Sequence, residues 1–249
     1  MTKHILLTND DGYEAEGLLA LWKTVSAVWE ASIRVVAPRV CHSQKSHATI
    51  THDPIRVEPL ARSPMEGYIA DGYPADCVRL GIRGLNLFDG LPLVLSGINP
   101  GANIGMDIYY SGTVAAAREA TTLGCPAVAV SQITNKEHPM DWGLTIAWAT
   151  ATLRFLKDRI ETSGPVLWNV NFPVQSGAKN IPPIRLVPMS TDPLAVGYEP
   201  PRNGDCLYRY SGNYFERPGA DGTDVAALFA GAITVTPLRL DHTAGELLG

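Results

Sequence analysis

Asp10 and Asp11 stand side by side where a short apolar run, Ile5-Leu6-Leu7, gives way to Gly12. Two carboxylates a few ångström apart repel, and each raises the other's pKa. A cation between them removes that cost, and Gly12 lets the backbone turn just beyond the pair. Taken alone, Asn9-Asp10-Asp11-Gly12 is equally readable as an Asp-rich turn that caps a helix. Three more pieces bear on the choice. Ser43 brings a hydroxyl and Asn99 an amide carbonyl. Ser111-Gly112-Thr113 opens an Ala-rich segment, Val114 to Ala120. Oxygen donors select hard cations such as Mg²⁺, Mn²⁺ or Ca²⁺. A Ser-Gly-Thr helix start offers free amides, hydroxyls and a favourable dipole to an anion. A divalent cation beside an anion cradle is the equipment for hydrolysing a phosphoryl ester.

These pieces cooperate only if the fold gathers them. Ile5 to Leu7 reads as a buried parallel strand. Leu18, Leu21, Trp22, Val25, Val28 and Trp29 recur at helical spacing, which predicts a helix from Ala15 to Trp29. Ser32 to Ala37, stopped by Pro38, is the next strand, and the three make a right-handed βαβ unit. The polar loop Arg39 to His52 then leaves the sheet edge that also carries Asp10 and Asp11. Ile55 to Leu60 and Tyr68 to Ala70 read as an edge pair, and Pro74 opens a helix. Leu91 to Leu95 is a buried strand that feeds the Gly- and Asn-rich loop Ser96 to Gly105. Pro126 to Val130 and Val166 to Phe172 are further strands around a helix from Trp142 to Ile160. This alternation predicts a three-layer α/β/α core over residues 1–173. Residues 174–223 are rich in Pro, Gly, Asp, Tyr and Arg and read as a β-rich arm, with strand-like pieces at Ile184 to Val187 and Cys206 to Tyr210. A helix near Asp224 to Ala230 and a strand at Ala232 to Thr236 return to the core in residues 224–249.

Composition narrows the partners. The chain has 249 residues, 45% hydrophobic and 18% charged, which suits one globular unit with a large core. A net charge of −5 makes nucleic-acid polymers poor partners. No apolar run approaches the roughly 20 residues of a membrane helix, and the N-terminus has no signal-peptide character. The four cysteines are dispersed and form no CxxC pair, which argues for a reducing, cytoplasmic setting. Of the six histidines, His42 and His47 fall in the loop beside Ser43.

Ile5 to Gly17 (ILLTNDDGYEAEG), Val35 to Thr51, Asp71 to Cys77 (DGYPADC), Ser96 to Ala120 (SGINPGANIGMDIYYSGTVAAAREA), Trp168 to Pro173 and Gly222-Thr223-Asp224 together resemble the SurE family of stationary-phase survival proteins. The resemblance spans nearly the whole chain and keeps motif order. It implies a Rossmann-like α/β/α core with a β-hairpin arm used to form homodimers or homotetramers. It implies hydrolysis of nucleoside 5′- and 3′-monophosphates, with one divalent cation, Mg²⁺ or Mn²⁺, per subunit held by Asp10, Asp11, Ser43 and Asn99. It places substrate phosphate against Asn103, Ser111, Gly112 and Thr113, and Ser46 joins these as a candidate. Asp10 is the candidate general base. Two positions depart from the family pattern. Gln44-Lys45 stand where Gly and small residues are usual, and Tyr73 stands where Thr is usual. Three rival readings use the same residues: an aspartyl-phosphate phosphatase with Asp10 as nucleophile, a non-enzymatic nucleotide or metal sensor, and a sugar-nucleotide transferase.

Overall fold

The computed structural model describes residues 3–177, 180–201 and 206–243. Nine strands form one sheet in the order β3-β4-β2-β1-β5-β6-β7-β11-β8. These are β1 (Lys3–Thr8), β2 (Ala31–Pro38), β3 (Val57–Pro59), β4 (Gly67–Ala70), β5 (Leu93–Pro100), β6 (Ala127–Gln132), β7 (Leu167–Phe172), β8 (Ile184–Leu186) and β11 (Ile233–Leu238). The centre, from β4 to β7, is parallel. β3 and β11 run antiparallel to their neighbours β4 and β7.

Alternation along the central strands sends side chains into two cores. Ile5, Leu7 and Leu95 pack with Leu18 and Leu21 of α1 (Glu16–Val28) and with Trp148 and Leu153 of α4 (Trp142–Thr162). Leu6, Val94 and Ala129 face the other way, onto Val78 of α2 (Pro74–Arg79) and Ala116 and Ala120 of α3 (Gly112–Thr122). Buried on both faces, such strands read as nearly continuous apolar runs. The fold is the three-layer α/β/α architecture that the alternating pattern predicts.

β5 is longer than its apolar run. The stretch Ser96 to Pro100, expected as loop, continues the strand and pairs with Ala129, Val130, Ser131 and Gln132 of β6, with a register shift between Gly97 and Asn99. Pairing overrides the turn-like composition here. Gly97 makes it possible: a Cβ there would sit 2.2 Å from the Val130 carbonyl oxygen. Asn99 is therefore aimed from a strand bulge, a firmer mount than a free loop.

The C-terminal third contributes to the sheet as well as to an arm. β8 pairs with β11 in the main sheet. The arm itself is a two-stranded antiparallel ribbon, β9 (Tyr198–Glu199) and β10 (Arg209–Tyr210), shorter than the predicted Cys206 to Tyr210 strand. Residues 178–179, 202–205 and 244–249 of the predicted arm and tail lie outside the described residues. Asp224, at the start of α5 (Asp224–Phe229), accepts hydrogen bonds from the amides of Gly105 and Ser190, each at 2.8 Å. It thus ties the loop after β5 to the segment that leads into the arm.

One glycine fixes the site's scaffold. A Cβ on Gly17 would lie 2.0 Å from the Ile98 carbonyl oxygen, one residue before Asn99. Gly17→Ala must therefore push α1 from β5. The expected cost is about 1–3 kcal/mol, or several degrees of melting temperature at about 2–4 °C per kcal/mol. Thermal denaturation checks it, and an unchanged melting temperature would contradict the contact.

Candidate active site

Strand order reverses between β1 and β5: the chain runs outward from β1 through β2 to β4, then returns to the opposite side of β1 with β5. Open α/β sheets bind ligands at this switch point, beyond the carboxyl ends of the strands. Thr8 of β1 is level with Ser96 of β5, so Asp10 and Asp11 leave the sheet beside Asn99. Asn9 shapes the turn by donating from Nδ2 to the Gly12 carbonyl at 2.8 Å. Asp10, Asp11, Ser43, Asn99, Asn103 and Ser111 line one cavity of about 910 Å³.

The two carboxylates differ in surroundings. Asp10 is buried and accepts from Thr113 Oγ1 at 2.6 Å. Its other oxygen abuts Gly112, where a Cβ would lie 2.8 Å from Oδ2. Burial raises the Asp10 pKa, opposed by hydrogen bonds from the Thr113 side chain and backbone. Asp11 is less buried, but its Oδ2 is enclosed with no hydrogen-bond partner. Burial first, and then the charge of Asp10, push the Asp11 carboxyl up to about 7.

The start of α3 therefore serves a carboxylate. Gly112 and Thr113, expected at the phosphate, do not line the cavity; they pack against and hydrogen-bond Asp10. Ser111 does line it, while its Oγ accepts from the Val114 amide at 3.1 Å as the helix cap. Ser46 is also turned away and donates to the Tyr109 carbonyl at 2.7 Å. Asn99 donates from Nδ2 to the Gly101 carbonyl at 2.6 Å, which leaves Oδ1 as its oxygen donor. Asn103 is fixed beneath the cavity: Nδ2 donates to Ser131 Oγ and the backbone amide donates to Asn171 Oδ1, both at 2.7 Å.

The loop that carries Ser43 is pinned at several points. The His42 amide donates to the Asp10 carbonyl at 2.7 Å and the Ser46 amide to the Tyr110 carbonyl at 3.1 Å. His47 meets buried Glu119 at 2.6 Å, so it anchors the loop and stays out of the cavity wall. The Tyr73 ring packs edge-on against His42, with centroids 4.9 Å apart, which gives the departure from Thr a buttressing role. Gln44 and Ser46 adopt φ of 60° and 53°. Left-handed backbone is costly for such residues, and strain of this kind gathers at functional sites. Gln44 also lines the cavity.

Sequence reasoning missed the cavity's outer wall. Asp107, Tyr110, Tyr198, Tyr210, Tyr214 and Arg217 line it, several of them from the arm. The available signal was the run of tyrosines at 198, 208, 210 and 214, which marks an aromatic surface but not the cavity it faces. Arg217 pairs with Asp107 and lies over the Tyr214 ring, 3.8 Å from its centroid.

A parallel α/β sheet with paired carboxylates and oxygen donors at its switch point defines a class, hydrolase-like Rossmann-type proteins with an acidic, oxygen-lined site. The comparisons with known proteins narrow it. A family model described as survival protein SurE matches residues 5–194. The chain is 38% identical over 241 residues to the 5′-nucleotidase SurE of Paramagnetospirillum magneticum, covering 96% of this chain and 90% of that one. It is 37% identical over 247 residues to the 5′-nucleotidase SurE of Variovorax paradoxus, covering 98% and 95%. Among solved structures, the SurE protein from Aquifex aeolicus superposes with a TM-score of 0.82 at 32% identity, over 98% of this chain and 96% of that one. The chain belongs to the SurE family.

Proposed function

We propose that this chain is a phosphomonoesterase that releases phosphate from nucleoside 5′- and 3′-monophosphates with the help of one divalent cation, Mg²⁺ or Mn²⁺. The observation that carries the reading is the enclosed, unpartnered Asp11 Oδ2 beside buried Asp10. Two carboxylates pushed toward neutrality, Asp10 by burial and Asp11 by burial and then by the charge of Asp10, need a positive charge to ionise together. The donors that share their cavity, Ser43 Oγ and Asn99 Oδ1, are neutral oxygens, the ligand type that suits Mg²⁺ or Mn²⁺. The nucleotidase names of the relatives add the substrate class.

When bound, such a cation neutralises phosphate charge and acidifies a water. The protein's own groups divide the remaining work. Asp10 is held in one orientation by Thr113 and Gly112, which suits a fixed ligand. Asp11, with one oxygen unengaged and a carboxyl near neutrality, is the better group to take a proton from the attacking water. This exchanges the duties suggested by sequence, because Thr113 already occupies Asp10. Ser111, whose hydroxyl hydrogen is free while its oxygen caps α3, and Asn103, through the second hydrogen of its Nδ2, are the lining residues that can donate to phosphate oxygens. Asp10 makes a poor covalent nucleophile, being only 4% exposed, so the aspartyl-phosphate reading loses ground. Exposed Val196 and Tyr208 on the arm support pairing of copies into a homodimer or homotetramer. No helix among the described residues is long and apolar enough to cross a membrane, in keeping with a cytoplasmic enzyme.

The test is phosphate release from a panel of nucleoside 5′- and 3′-monophosphates with Mg²⁺ or Mn²⁺. Turnover should vanish with EDTA and return with excess cation. Nucleotide binding with no release under any cation would replace the enzyme by a sensor, and EDTA-resistant turnover would remove the cation.

A further inference from the structure

The cavity is lined by two chemically different sets of residues. One comprises Asp10, Asp11, Ser43, Asn99 and Ser111. The other comes from the arm, through Val196, Tyr198, Tyr210 and Tyr214. Its volume of about 910 Å³ lies near the top of the roughly 300–1,000 Å³ range of sites that enclose a drug-sized molecule. A phosphate group alone would leave most of it empty.

The aromatic set is built. Tyr198 and Tyr210 are cross-strand partners on β9 and β10, so their rings share one face of the ribbon. They stand edge-to-face, centroids 5.7 Å apart and planes at 79°. Each keeps much of its surface exposed, 60% and 62%. Gly212 makes room for the second ring, since a Cβ there would come within 2.2 Å of Tyr210 Oη. The ribbon is also anchored at its return. Tyr214 donates from its hydroxyl to the Ala102 carbonyl at 3.0 Å, and Arg217 bonds Asp107 on the loop that leads to Ser111.

The charge in this set is cancelled. Among the described residues Arg217 is the one cation lining the cavity, and its guanidinium is spent on Asp107 and the Tyr214 carbonyl. Nothing there waits for a second phosphoryl group. What fits is a flat, uncharged ring. Resting on the phosphomonoesterase reading for the other set, we propose that Tyr198 and Tyr210 form the nucleobase subsite, one ring stacking the base and the other, nearly perpendicular to it, meeting the base at its edge, while the phosphate lies near Asp10 and Asp11. Ring faces offer no pattern of donors and acceptors, so stacking tolerates every base. Purines gain more than pyrimidines because they cover more of the rings.

The experiment compares adenosine 5′-monophosphate with glycerol 3-phosphate, which has a phosphate and no ring. In Tyr198→Ala and Tyr210→Ala the ratio of kcat/KM for the nucleotide to that for the glycerol ester should fall between about 5- and 150-fold, the range expected for losing one stacked base. The change should sit in KM, and Tyr210→Phe, which keeps the ring face, should recover most of the ratio. Size-exclusion chromatography accompanies each variant. Equal losses for both esters, or an unchanged ratio, would overturn the subsite and leave the tyrosines to the architecture of the arm. Calorimetric titration with adenosine separates this from the phosphatase reading. Heat of binding in the native protein that disappears in Tyr210→Ala supports the subsite even if no ester is hydrolysed. Equal binding in both, or none in either, refutes it.

Discussion

Asp11→Ala is expected to lower phosphate release from a nucleoside monophosphate by at least about 10²–10³-fold, with the fold intact. The magnitude follows from removing one preorganised charge-stabilising group, which alone costs about that much in hydrolytic sites. Here the same side chain is asked both to hold positive charge and to receive a proton, so the lower figure is a floor. The fold should survive because Asp11 makes no hydrogen bond from its enclosed Oδ2 and its ionised form is costly.

Asp10→Ala is the informative partner. It should be equally inactive, but it also strands the Thr113 hydroxyl and opens a gap beside Gly112. A buried hydroxyl left unpaired costs about 1–3 kcal/mol. Asp10→Ala should therefore melt earlier than Asp11→Ala. Circular dichroism and a phosphate-release assay on the two variants decide the matter. Substantial turnover in Asp11→Ala would remove the carboxylate pair from the chemistry. Identical melting temperatures would show that Thr113 does not hold Asp10 in the way its 2.6 Å contact implies.

Most of the scaffold was legible because its signals are local. The apolar run at Ile5 to Leu7, the stripe from Leu18 to Trp29 and the punctuation at Pro38 and Gly12 each report on a few neighbouring residues, and the parallel sheet follows from their alternation. Asp10, Asp11, Ser43 and Asn99 could be assigned to one sheet edge for the same reason, since every strand delivers its carboxyl end there. What failed needed pairing information. Ser96 to Pro100 looks like loop by composition and is strand because β6 lies beside it. The Ser-Gly-Thr helix start looks like an anion cradle, and in the fold its Thr113 hydroxyl is already engaged by Asp10, a contact that only the third dimension reveals. Ser46 and His47 have site-like chemistry but spend it on Tyr109 and Glu119. The tyrosine wall was hidden by distance, because Tyr198 and Tyr210 reach the cavity from an arm about a hundred residues beyond Asn99.

The carboxylate pair also makes stability depend on pH and cation together. The Asp11 carboxyl lies near 7 in the folded protein against 3.8 for the free side chain, and Asp10 is raised as well. A raised folded-state pKa means that the native state binds more protons than the unfolded chain. The contribution is then fully favourable below about pH 4 and is lost as pH climbs through about 7. Without divalent cation, these two groups should make the protein progressively less stable from pH 5 to pH 8. Cation that binds only the ionised, folded pair should reverse this by mass action. At 100 times its dissociation constant the gain is about 2.7 kcal/mol, or roughly 5–10 °C for a chain of this size. The rise in melting temperature on adding Mg²⁺ or Mn²⁺ should therefore be large at pH 8 and small at pH 5. Asp11→Asn, which cannot ionise, should melt above the native protein at pH 8 in EDTA and gain little from the cation. That advantage should shrink toward pH 5. Thermal scans of both proteins across pH, with EDTA or cation, test each part. A cation-induced shift equal at both pH values, or one that persists in Asp11→Asn, would place the ion elsewhere. If both come out as expected, the residue that makes the empty site unstable is the one that makes the loaded site work, which is why a less costly neutral side chain cannot replace it.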